Sequence, residues 1–170
     1  MTRVKSCLTA ALAAMLCACA GSPPLPAPPA RIERDWLAQI QREVALVDSA
    51  VDVVPLPDPE VDDLRQRAAS ALRAGRYDEA EADLRAAIAL RDADPALWQS
   101  LAEVAIGKRQ WADAAAHAQA SYQLGPKVGA LCVRNWFTLL ASSIEGGDAP
   151  GAAAARAQVQ RCIIAKPTRF

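Results

Sequence analysis

The sequence of 170 residues predicts an all-α fold, on three observations. Alanine, the best helix former, is very abundant, and aromatic residues are few. Runs of β-branched residues at period two, the signature of half-buried strands, are missing. From about Glu60 onward, small and apolar residues return at a step of 34, which points to a row of repeated helical units.

The chain opens on Met1–Ser6, which carries Arg3 and Lys5 and no acid, followed by an apolar run over Cys7–Leu16. A run of about ten residues suits the apolar core of a signal peptide and falls short of the ~20 that a spanning helix needs. Leu16-Cys17-Ala18-Cys19 resembles the lipid-attachment box of bacterial lipoprotein signal peptides, with Ala18 before the cut and Leu16 three residues ahead of Cys19. Cys17 is preceded by bulky Leu16, so Cys19 is the expected lipidation site and residues 1–18 the expected signal peptide. Ala20 stands where such proteins carry aspartate when held at the inner membrane, so the resemblance implies a periplasm-facing outer-membrane address. The alternative is ordinary secretion: Ala18-Cys19-Ala20 also fits an A-x-A cleavage site, giving a soluble periplasmic protein from Gly21.

Residues 19–30 read as a proline-rich tether, semi-rigid and reaching about 30 Å. Residues 31–59 read as an amphipathic helix over Arg31–Val51 and a proline-rich linker. Ile32, Trp36, Ile40, Val44, Val47 and Val51 step by three or four and form one apolar stripe. That stripe either docks on the domain that follows or seats a partner helix. Pro55, Pro57 and Pro59 then break the helix.

Within residues 60–165 the step of 34 takes Leu64 to Trp98, Ala68 to Ala102, Ala71 to Ala105, Tyr77 to Trp111, Ala80 to Ala114, Leu84 to Ala118 and Leu90 to Leu124. The segment GRYDEAEADLRAAIAL at 75–90 and the opening PALWQSLAEVA resemble the tetratricopeptide repeat, whose period is 34 residues. A third, degenerate copy follows: Trp136 stands 38 residues after Trp98, as if four residues near Lys127–Ala130 were inserted. The resemblance implies a short helical-hairpin solenoid with helices at roughly 61–74, 76–91, 95–107, 110–124, 130–145 and 149–164, then a tail at 166–170. Asp94-Pro95 marks a helix start, and Gly75, Gly107 and Gly146-Gly147 mark helix ends.

Once Cys7, Cys17 and Cys19 are set aside, Cys132 and Cys162 remain. An even pair in an oxidising compartment predicts a disulfide, the alternative being two buried free thiols. The register of the resemblance puts the pair at adjoining ends of the third unit's two helices.

No catalytic or metal pattern emerges, and no cofactor is expected. His117 is the single histidine and is expected on an outer surface. Acidic pairs such as Asp62-Asp63 and Asp92/Asp94 fall at helix starts, where carboxylates cap the backbone. With residues 1–18 removed, 17 basic face 19 acidic side chains, so nothing draws the protein to nucleic acid. A binding surface remains. By the resemblance, the first helices line a groove through Asp62, Arg65, Ala69, Leu72 and Arg73, then Gln99, Glu103 and Ile106, then Arg134, Phe137 and Ala141. Arg65, Arg73 and Arg134 would fork onto carboxylates of a peptide, and Ile106 and Phe137 would take an apolar side chain. Cys162, Ile163 and Ile164 form an expected apolar edge for a homodimer or partner contact, unless the Arg31–Val51 helix or the tail covers it. The expected function is a membrane-anchored scaffold that holds a protein or peptide of the cell envelope. The alternative is a permanent structural subunit of an envelope complex with no open groove.

Overall fold

The computed structural model of the chain describes residues 34–47 and 57–164. Cys19, the tether and the tail at 166–170 lie outside the described residues, as do Ile32 and Val51 of the first expected helix. Among the described residues there are seven helices and no strand: α1 (Trp36–Ala45), α2 (Pro59–Arg73), α3 (Tyr77–Leu90), α4 (Pro95–Gly107), α5 (Trp111–Leu124), α6 (Ala130–Glu145) and α7 (Ala149–Arg161).

Consecutive helices form three antiparallel hairpins, α2–α3, α4–α5 and α6–α7, stacked through α3 on α4 and α5 on α6. The first helices α2, α4 and α6 touch their neighbours, whereas α3, α5 and α7 do not touch one another. The row therefore bends toward the first helices, which form its inner face. This is an all-α helical-hairpin solenoid, as the sequence predicts. Helices approach closely because the crossing points carry alanine: Ala80, Ala87, Ala102, Ala114 and Ala118 are completely buried. Larger side chains, Leu84, Leu97, Leu101 and Val104, fill the space between.

Aspartates start four of the helices. Asp58, one turn before the expected pair Asp62-Asp63, caps α2 by accepting from the backbone N–H groups of Glu60 and Val61. Asp94 caps α4 through Ala96, Asp148 caps α7 through Gly151, and Asp35 caps α1 through Ala38. The turns inside the hairpins share one geometry. The N–H groups of Arg76, Gln110 and Asp148 donate to the carbonyls of Ala71, Ala105 and Ser143, and Gly75, Arg109 and Gly147 hold positive φ. In the second hairpin α4 ends at Gly107 as expected, and the left-handed residue is Arg109, two residues on. Gly107 serves a different need: a Cβ there would stand 2.4 Å from the Tyr77 ring.

Cys132 and Cys162 form a disulfide with their Cα atoms 5.6 Å apart. It joins the start of α6 to the end of α7, which stops at Arg161, three residues earlier than expected. The Gly129 N–H donates to the Cys162 carbonyl at 2.7 Å beside it. A companion tie joins the start of α4 to the end of α5, where the Ser121 hydroxyl donates to the Pro95 carbonyl at 2.7 Å. First helices therefore begin, and second helices end, along one edge of the row.

Helix α1 lies across the inner face against α6 and α4. Its N-terminal Trp36 meets Glu145 at the end of α6. Val44 and Val47 near its other end pack on the cluster that includes Cys132 and Val133, so α1 runs antiparallel to α6. Ten residues are too few for a stable isolated helix. Its order comes from burying Trp36 and Ile40, each worth about 2–3 kcal/mol.

The disulfide closes a loop of 30 residues. Chain entropy assigns such a loop about 3–4 kcal/mol. Urea unfolding with and without reductant should show a midpoint shift of that order, and Cys132→Ser/Cys162→Ser should match the reduced protein. An unshifted midpoint would show that the terminal hairpin does not depend on the bridge.

Candidate functional site

The inner face divides into a sealed part over α4 and α6 and an open part beside α2. In the sealed part, Trp36 joins Ala105, Ile106 and Ala141 in one buried cluster, and Ile40 joins Phe137 and Leu140 in another. The Trp36 indole donates to Glu145 Oε1 at 2.9 Å, and the Arg34 guanidinium lies 5.2 Å from the Trp36 ring centre. Ile106 and Phe137, expected to await a ligand's apolar side chain, are 4% and 8% exposed. Their apolar neighbour is the chain's own first helix.

Beneath the face runs a polar network between α4 and α6. Glu103, 3% exposed, accepts at Oε1 from Arg134 Nη2 at 2.8 Å, Arg134 Nε at 2.9 Å and Gln99 Nε2 at 3.1 Å. Gln99 is completely buried and also donates to Thr138 Oγ1 at 2.9 Å. Between α2 and α4, Arg65 Nη2 bonds Asp94 Oδ2 at 2.7 Å, and Asp94 is 5% exposed. The expectation that Arg65 and Arg134 await peptide carboxylates is therefore corrected. Each is paired with a buried carboxylate of its own chain, and truncating either would strand a buried charge. Gln99 and Glu103 likewise belong to the packing between helices. Thr138, Asp94 and Glu145 carry this arrangement and were not among the residues expected from sequence.

The open part is a cleft of about 650 Å³ between α1 and α2. Leu37, Ala38 and Gln41 form one wall, Ala69, Leu72 and Arg73 the other, and Ser100 and Glu103 the floor. Arg65 and Arg134 reach its rim with about a third of their side chains exposed. Arg73 is exposed and has no carboxylate partner among the described residues. Of the expected groove residues, exposed Arg73 and the half-buried Leu72, which also packs on the core of the first hairpin, line the cleft together with Ala69. The exposed Asp62 stands 4.0 Å from Arg65.

His117 departs from its expected place. It is half-buried, with its ring 5.8 Å from that of Trp98 on α4. Burial lowers its pKa, Arg85 adds to the effect, and Asp113 and Glu81 oppose it. Nearby, Lys108 Nζ lies 2.7 Å from Asp78 and 2.8 Å from Glu81, tying the end of α4 to α3. Its hydrogen bond, with one from Arg85, holds the Glu81 carboxyl below the usual carboxylate range.

The exposed large apolar side chains share one location. Leu90 and Leu124 are the last residues of α3 and α5, Ile163 and Ile164 follow α7, and Leu46, 79% exposed, ends α1. All stand on the edge where first helices begin. Helix α1 does not cover Ile163 and Ile164, which remain 45% and 46% exposed among the described residues. Among those residues no three His, Cys, Asp or Glu side chains gather as metal ligands, and no helix is long and apolar enough to cross a membrane. Comparison with protein-family models and with curated proteins finds no match to the chain.

The lowered pKa of His117 means that the folded state binds its proton less readily than the unfolded chain. Its contribution is intact above the ordinary value of about 6.5 and is lost as pH falls through the lower, folded value. Thermal melts from pH 7.5 to 5.5 should show a loss below about 1 kcal/mol, because His117 keeps solvent contact. His117→Phe should flatten that slope; an unchanged slope would place the titrating group elsewhere.

Proposed function

We propose that this chain is a lipid-anchored, tetratricopeptide-repeat-like binding protein of the bacterial cell envelope, holding a segment of another protein against its inner face. The cleft between α1 and α2 carries the reading. It has an apolar wall at Leu72 and Ala69, a cation at Arg73 with no carboxylate partner among the described residues, and a floor tied by the Glu103–Arg134 pair. Such a surface suits a short segment with an apolar side chain next to an acidic one. The 34-residue register supports the repeat reading, since Ala68/Ala102 and Ala80/Ala114 occupy equivalent buried crossings. The Leu16–Cys19 sequence supports the lipid anchor on Cys19 and the outer-membrane address. Nothing in the described residues pairs a nucleophile with a base, so binding is favoured over catalysis, with no cofactor or metal in the reading.

A second reading, a permanent subunit without a free groove, is favoured by the exposed edge of Leu90, Leu124, Ile163 and Ile164. Apolar side chains repeated on one edge suit a lasting interface with a different subunit or a second copy.

A photo-crosslinker placed at Ala69, followed by mass spectrometry of cell extracts, separates the two. Under the cleft reading Leu72→Glu and Arg73→Glu reduce the adduct at least tenfold, while Leu90→Glu/Leu124→Glu leaves it intact. The reverse pattern makes the edge the interface and the protein a structural subunit. For the anchor, the mass of the membrane-extracted protein should exceed that of the chain from Cys19 by a diacylglyceryl group or more. An unmodified chain starting at Gly21 refutes the lipoprotein reading.

A further inference from the structure

We propose that the inner face of the second and third hairpins is a receptor for amphipathic helices, with α1 as its resident occupant and a partner's amphipathic helix as its alternative one. The proposal deepens the binding-protein reading above and rests on it.

Helix α1 is seated as a ligand would be. It belongs to none of the three hairpins, each of which closes its own helix pair. Two of its side chains, Trp36 and Ile40, are fully buried, and they stand one turn apart on one face with Val44 a further turn on. Their seats, Ile106 with Ala141 and Phe137 with Leu140, belong to α4 and α6. The Trp36 indole ties α1 to the hairpins by its hydrogen bond to Glu145.

Ile106 and Phe137 lie under α1, while the Glu103–Arg134 pair joins α4 to α6 with no residue of α1. The cleft leaves the Leu37–Gln41 flank of α1 open to an incoming chain. The recognition rule follows from the contacts. An aromatic donor sits at the first position, near Glu145, and a β-branched aliphatic residue follows four and eight positions later. A partner helix that offers the same apolar groups at those steps competes with α1 for one surface.

The test uses the full chain and a fluorescein-labelled peptide of residues 34–47 as the probe. Anisotropy titrations compare the wild-type protein with Trp36→Ala/Ile40→Asp, which weakens its own α1. The variant should bind the peptide at least tenfold more tightly than wild type, and adding Phe137→Glu should abolish binding. Equal binding to both proteins, or none to a variant that keeps its helical circular dichroism, overturns the proposal. If the variant loses its helical signal, hydrogen exchange on wild type decides. Faster exchange of α1 amides than of α4 and α6 supports a detachable helix, and equal rates overturn it. Loss of this proposal alongside a surviving Ala69 crosslink would leave the binding-protein reading standing.

Discussion

Everything in this array depends on how closely its helices cross. Alanine at Ala68, Ala80, Ala102 and Ala114 lets backbones approach, and this gives each hairpin its shape. The same choice limits the apolar area each hairpin buries, because an alanine side chain removes little surface from water. No hairpin of this kind is expected to stand alone, so stability accumulates through neighbours. The disulfide locks α7 to α6 in the third hairpin, and α1, packed on α6 and α4, supplies Trp36 and Ile40, side chains far larger than the alanines around them. Both add to the apolar core at that end of the row.

The inner face shows a second constraint. Buried carboxylates at Asp94 and Glu103 need cations, and the arginines that serve them come from the preceding and following first helices. These pairs fix the spacing of α2, α4 and α6 more specifically than alanine contacts do, since a hydrogen-bonded ion pair tolerates little displacement. They also engage Arg65 and Arg134 internally, leaving about a third of each side chain exposed at the cleft rim. What remains for recognition is smaller than the row of first helices suggests: a cleft at one side, an occupied seat at the other.

The helical order, most helix ends and the cysteine pair were legible in the sequence because each leaves a local or periodic mark. Asp94-Pro95 and Gly75 announce a start and an end by themselves, and the step of 34 aligns the hairpins. Which arginine meets which carboxylate was not legible. Arg65 and Asp94 are 29 residues apart, Glu103 and Arg134 31, and neither separation follows from helical periodicity. Arg109 was missed because a positive φ in a non-glycine residue leaves no mark in the sequence. The stripe of α1 announced an apolar face, but not whether it would dock on its own domain or where. Its seat is a composite of α4 and α6 that exists only after the hairpins stack.

The exposed edge follows from the same repeat geometry. Leu90 and Leu124 occupy equivalent positions 34 residues apart and are 50% and 49% exposed. Equal exposure in two hairpins makes it a property of the repeat, not an accident of one loop. At that position the second helix reaches its last residue, and the chain then turns toward the capping aspartate or glycine that starts the next first helix. Polar residues would satisfy that geometry at no cost, so leucine there in two hairpins, with the exposed Ile163 and Ile164 directly after the third hairpin's buried Cys162, suits an apolar neighbour outside the array. The inner face and the edge therefore differ in kind: the first is shaped by pairing and already partly filled, while the second is flat, apolar and open.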